Sequence, residues 1–168
     1  GEAHVSRFLY LESEPYRYSI AHFLLSRRRE ERGNLLRFQE ISNSFSPDVV
    51  FVWGTWNIPR CLLRKVEEMF PERVIYYFMG LCPSLPSQHV NYWNLPARRW
   101  YSRLIKGIMR KYAFSILEKE WREGSNPSYS ISIFASRYVQ DALHRAGFVF
   151  QRSMVLWHGI DLDRFLLP

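Results

Sequence analysis

Four short clusters hold the residue types best suited to chemistry: Gly54-Thr55-Trp56, Gly80-Leu81-Cys82-Pro83, Ser136-Arg137-Tyr138 and His158-Gly159-Ile160-Asp161. Each follows an apolar run, so small, polar or turn-forming residues stand where a strand would end. A helix begun after Ser136 would aim its N-terminal backbone N–H groups at that edge, a setting that favours anions. The plain alternative for each glycine is a tight turn and nothing more. Several clusters on one rim argue for a ligand site better than any single one. Cys82 reads as a small loop residue, since no base or cationic partner accompanies it as a nucleophile would require. The eight glycines never form G-x-G, and G-K-[ST], H-E-x-x-H, C-x-x-C and G-x-S-x-G are all absent. His4, His22, His89, His144 and His158 are too scattered for a metal site visible in the sequence. No metal and no bound cofactor is expected.

The elements that must position these clusters are legible. Five apolar runs occur, at Val5–Leu11, Asp48–Trp53, Val74–Met79, Tyr129–Ala135 and Met154–Trp157. The middle three are nearly continuous in Val, Ile, Phe and Tyr, as in strands covered on both faces. Between them lie helical patterns. Ser19–Phe45 reads as two helices broken near Gly33-Asn34, and Pro59–Phe70 repeats Leu62, Leu63, Val66 and Met69 at helical spacing. Ala97 to Glu123 reads as one long helix. Ser136–Ala146 starts on an N-cap serine and stops at Gly147. Such alternation predicts an α/β, Rossmann-like three-layer domain over residues 1–168, with a mostly parallel sheet of about five strands and helices on both faces. Ligands of such sheets bind beyond the carboxyl ends of the strands, where all four clusters fall.

Composition narrows the class. The chain has 168 residues, 47% of them hydrophobic and 17% aromatic, enough for a real core and too apolar for disorder. Two cysteines, Cys61 and Cys82, exclude a disulfide scaffold and suit a reducing compartment. The stretch from Val74 to Ala97 lacks Asp, Glu, Lys and Arg, yet Pro83, Pro86 and Pro96 argue against a membrane span. With no signal peptide in view, the chain is expected to be cytoplasmic. A net charge of +7 favours anionic partners.

The C-terminal half resembles glycosyltransferase group 1, also called family 4, retaining enzymes of the two-domain GT-B architecture. The resemblance lies in Tyr129–Ser136 (YSISIFAS), the helix to Gly147 and Met154–Phe165 (MVLWHGIDLDRF). Those positions match a strand ending in Ser136, a helix ending in Gly147, then His158, Gly159, Ile160, Asp161 and Phe165. Ser46-Pro47-Asp48-Val49-Val50 is similar to the family's Pro-Asp-Val-Val strand entry. The resemblance covers Leu35 to Leu167.

It implies the acceptor-binding N-terminal domain of a hexosyltransferase-type enzyme that moves a sugar from a nucleotide-sugar donor to an acceptor. The partners implied are a glycan, lipid or small-molecule acceptor and a C-terminal donor domain of the same polypeptide, without which this part is expected to be inactive. Gly54, Trp56, Met79, Gly80, Ser136, Arg137, His158 and Gly159 would line the cleft. His158 would either face the donor or fill a turn. Asp161 and Phe165 would shape the turn toward the second domain, since Asp favours caps and turns. Many relatives carry His-Asp-x-Trp-Pro where this chain has Met79-Gly80-Leu81-Cys82-Pro83. Methionine replaces the histidine that contacts the reacting sugar and cannot shuttle a proton, so no catalytic residue is assigned.

A second pattern points elsewhere. Arg98, Arg99, Arg103, Lys106, Arg110 and Lys111 occur with no acid between them. Arg99, Arg103, Lys106 and Arg110 share one helix face, and Tyr101, Leu104, Ile105, Ile108 and Tyr112 another, with Trp93 and Trp100 nearby. That composition suits an anionic membrane surface, which would place the protein peripherally at the inner membrane face. The plain reading is an apolar stripe turned to the sheet and a solvated basic stripe. The alternative function is thus a non-catalytic basic Rossmann-like module docking on an anionic membrane or other polyanion. Nucleic acid is not expected, because no binding motif accompanies the charge. Arg27-Arg28-Arg29 followed by Glu30-Glu31 reads as an ordinary solvated charge run.

Overall fold

A computed structural model describes residues 8–12, 19–97, 99–123 and 127–157, with side chains up to residue 120 in the long helix. The elements run α1 (Arg27–Phe45), β1 (Val50–Trp53), α2 (Arg60–Met69), β2 (Val74–Phe78), α3 (Gln88–Asn94), α4 (Trp100–Glu123), β3 (Ile131–Phe134), α5 (Arg137–Arg145) and β4 (Arg152–Val155). A π-helical turn, His22–Ser26, leads into α1, and a 3-10 turn, Cys82–Ser84, follows β2. The class is the expected Rossmann-like α/β. Among the described residues all pairings are parallel, in the order β1-β2-β3-β4, which gives four strands there against the expected sheet of about five.

The expected first strand is not among them. Residues 1–7 lie outside the described set, and 8–12 form no strand. Instead the amide of Asn34 clamps Tyr10, accepting from its N–H at 2.8 Å and donating to its carbonyl at 2.9 Å. This also corrects the break expected at Gly33-Asn34. The helix runs through, because buried Asn34 spends its side chain on Tyr10 rather than on its own backbone.

The register separates the two sheet faces. Val52, Tyr76, Ser132 and Ser153 align in one row, and Trp53, Tyr77, Ile133 and Met154 in the next, turned to the opposite face. On the first face Val52, Tyr76, Phe78 and Phe134 pack with Leu63 and Val66 of α2 and with Val139 and Leu143 of α5. Phe38 of α1 joins at the margin. Each large side chain buried there stabilises the fold by roughly 2–3 kcal/mol. Parallel strands laid in chain order all step the same way, and right-handed crossovers then fall on one face. The opposite face keeps Phe51, Trp53 and Met154 exposed, with Tyr77 covered by the Phe51 and Trp53 rings. Phe23, Trp93 and Ala113 form a second core among the π-turn, α3 and α4.

Local signals set the ends. Ser136 is extended and its hydroxyl accepts from the Val139 N–H at 3.3 Å, capping α5. Gly147 adopts φ +88°, and the Phe148 N–H then reaches the Leu143 carbonyl at 3.1 Å. Ser136→Ala is expected to lower stability by about 1 kcal/mol in urea denaturation, with Ser136→Thr close to the parent. No loss would mean that water caps the helix equally well.

Candidate functional site

Of the sequence-predicted cleft residues, Gly54, Trp56, Met79, Gly80, Ser136 and Arg137 follow the carboxyl ends of β1, β2 and β3. Gly54 follows β1 with φ +72°, a conformation costly to other side chains, and its N–H meets the Tyr77 carbonyl at 2.9 Å. Met79 and Gly80 follow β2, while Ser136 and Arg137 open α5 after β3. The Ala135 and Leu156 N–H groups continue the ladder to Phe78 and Phe134 at 3.0 and 2.9 Å, so these loops leave the sheet at one level. Met79 and Trp56 expose their side chains on this rim. His158, Gly159, Asp161 and Phe165 lie outside the described residues.

Beside the rim opens a cavity of about 560 Å³, which Trp56 borders. Its walls are the β1–α2 loop, the start of α2, the segment from Cys82 to Val90, and inward residues of α1 and α4. Thr55 and Asn57 are at least nine-tenths buried, and their Oγ1 and Oδ1 atoms have no partner among the described residues. Asn57 has φ +62°, which asparagine tolerates better than most residues.

The charged groups of this cavity come from elements far apart in sequence. Arg27 lies buried, donating to Glu120 at 2.7 and 2.6 Å and to Glu31 at 3.2 Å. Glu12 approaches His89 at 4.0 Å. Burial, then the charge of Glu31, pushes the Glu12 carboxyl up to about 7, against the pull of the Gln88 N–H, Arg27 and Arg60. Burial, then Arg27 and His22, holds His89 down to about 3, which keeps it neutral. The Cys61 thiol rises to about 11, chiefly by burial, and is therefore unreactive. Among the described residues no group of three or more His, Cys, Asp or Glu is placed to hold a metal ion.

The reading of Arg27 to Glu31 as a solvated run is thereby corrected, because Arg27 finds a carboxylate 93 residues away. One signal was present: Arg27, Glu31, Asn34 and Phe38 recur at helical spacing along one face. Nothing local marked Glu12, His89 or Glu120. Chemically the cavity offers a carboxyl that both donates and accepts near neutral pH, two uncommitted polar side chains and an aromatic rim. That combination suits a hydroxyl-rich ligand.

The basic helix also departs from expectation. Lys106 is buried, its ammonium donating to the Leu95 carbonyl at 2.6 Å and to that of Tyr92, whose ring it faces. The last carbonyls of α3 are orphan acceptors, and the lysine satisfies them rather than meeting solvent. Trp93 is likewise buried, whereas Arg99, Trp100, Arg103 and Arg110 are exposed.

The fold and rim define an α/β domain with a Rossmann-like parallel sheet and, at the carboxyl edge of β1 and β2, a cavity lined by both polar and apolar side chains. The chain matches no family model, no curated protein and no solved structure.

Proposed function

We propose that the chain is the acceptor-binding N-terminal domain of a retaining, hexosyltransferase-type glycosyltransferase. The observation that carries this reading is the cavity beside the rim, where buried Thr55 and Asn57 offer uncommitted polar atoms next to Glu12 and the exposed Trp56 ring. A sugar presents hydroxyls to such atoms and an apolar C–H face to an aromatic ring. The sequence resemblance around Ser136, Gly147, His158 and Asp161 supports the same class. In the reaction, the bond from the donor's anomeric carbon to the diphosphate oxygen breaks and the diphosphate leaves with the electron pair. The acceptor oxygen bonds to that carbon on the same face and gives up its proton to the leaving group. Orientation and electrostatics dominate such transfers. Here the cavity's part is orientation: it holds the acceptor, while the donor sits mainly on the second domain.

Titration calorimetry with free hexoses and N-acetylhexosamines tests the cavity. The expected result is weak saturable binding to at least one sugar, reduced about tenfold by Trp56→Ala, as loss of one stacking surface implies. No binding by any sugar to the folded chain would overturn the reading. Nucleotide-sugar hydrolysis by a full-length protein, with this domain alone inactive, tests the reaction itself.

A further inference from the structure

We infer that α4 lies in the headgroup layer of an anionic lipid bilayer, held there by an apolar ridge with a basic border. Trp100, Leu104 and Ile108 follow one another at one-turn intervals, with Tyr101, Ile105 and Tyr112 on the adjoining strip. All six are exposed, Ile108 to 77% and Trp100 to 73%. The inward side of the same helix is formed by Lys106, Ala113 and the partly buried Met109 and Leu117. An ordinary surface helix turns its apolar stripe inward. Here the ammonium of Lys106, tied to the end of α3, faces in, and the apolar stripe faces out.

The border identifies the occupant. Lys111 adjoins the ridge and Arg103 flanks it, while Arg99 and Arg110 stand further round toward Lys106, Arg110 donating to Asn94 at 2.7 Å. All four are exposed, and no acid occurs from Ala97 to Leu117. A second copy of the chain would bring arginines against arginines in a protein of net charge +7. A nucleic acid would engage the charges and leave the ridge in water. An anionic bilayer takes both: phosphates meet the guanidinium groups, aliphatic side chains enter the acyl boundary, and Trp and Tyr rings suit the headgroup depth. No helix among the described residues is long and apolar enough to cross a membrane, which leaves an in-plane position for this one. The inference stands apart from sugar transfer, since its test contains no sugar.

Flotation with vesicles of phosphatidylcholine alone, and of phosphatidylcholine mixed with phosphatidylglycerol, tests it. The protein is expected to float with the mixed vesicles, weakly or not at all with the neutral ones, and to come off as salt rises. Ile108→Asp and the Arg103→Glu, Arg110→Glu pair are each expected to weaken binding about tenfold or more while the circular dichroism spectrum is kept. Leu25→Asp, equally exposed at 77% but on the π-helical turn, is expected to bind as the parent does. Brominated acyl chains are expected to quench tryptophan emission, and Trp100→Phe to remove most of that quenching. The inference is overturned by equal binding to both vesicles, by no binding, or by Ile108→Asp binding normally. It is equally overturned by a concentration-dependent dimer that Ile108→Asp abolishes, or by DNA binding that excludes vesicles.

Discussion

Replacing Arg27 by alanine is expected to destabilise the protein by about 3–5 kcal/mol, the range for stripping one partner from a buried ion pair. The guanidinium side chain is 6% exposed and sits between two acids, forking onto Glu120 and reaching Glu31. It also lies 4.8 Å from the centre of the Phe23 ring, so it ties α1, α4 and the second core together. Alanine leaves Glu31 and Glu120 half-covered with no guanidinium between them, apart from the longer Arg28 contact at 3.6 Å. Arg27→Lys is expected to recover only part of the loss, because an ammonium cannot make the two parallel bonds. A pH signature separates this account from simple loss of packing. Burial already raises the Glu31 carboxyl above its ordinary value, so acidification neutralises it early once Arg27 is gone, and the gap between variant and parent should narrow as the pH of urea melts is lowered. A loss below about 1 kcal/mol would place this pair with ordinary surface ion pairs.

Glu12→Gln is expected to do the reverse, raising stability by about 3 kcal/mol near pH 8 and leaving it nearly unchanged near pH 4. The acid's ordinary value is 4.5 and its folded value about 7, so the folded state binds the proton more tightly. Below 4.5 the group is protonated folded or unfolded and contributes the same. Between 4.5 and about 7 the unfolded chain ionises first, so stability falls as pH rises and the loss is complete above about 7. Glutamine imitates the protonated acid and removes that loss. His89 works with the opposite sign. Its folded value is about 3 against 6.5, so its contribution is kept above 6.5 and lost as pH falls toward 3. The two windows overlap, so the parent should be nearly flat from about 4.5 to 6.5 and lose stability below and above that span. Glu12→Gln should instead keep gaining stability up to about 6.5 and then level off. Thermal melts across this range decide it. A Glu12→Gln variant less stable than the parent near pH 8 would show that Arg27 and Arg60 need the ionised carboxylate.

How much could be seen beforehand follows from where each signal resides. The run Val74–Phe78 announced β2 because its residues are nearly all buried. Leu62, Leu63 and Val66 announced α2 by spacing. By contrast α3 went unread between Pro86 and Pro96, although its Ser87 cap accepts from the Val90 N–H at 3.4 Å. In α1 the apolar positions misled. Leu36, Ile41 and Phe45 are exposed, while Arg27, Asn34 and Ser42 are buried. Of the site, the strand-end rim was legible from turn chemistry. The cavity was not, because Glu12, Arg27, His89 and Glu120 converge from four segments that share no spacing.

The amino-acid sequence by itself determined the alternation of strands and helices, the Ser136 cap, the stop at Gly147 and hence a parallel sheet. Those features rest on interactions within a few residues, where side-chain type decides the backbone. Only the tertiary structure decided which face of α1 and α4 turns inward. An arginine or lysine can be buried once carboxylates or orphan carbonyls surround it, and those partners are brought by the fold. That is why Arg27 and Lys106 left the surface, and why an apolar ridge took their place.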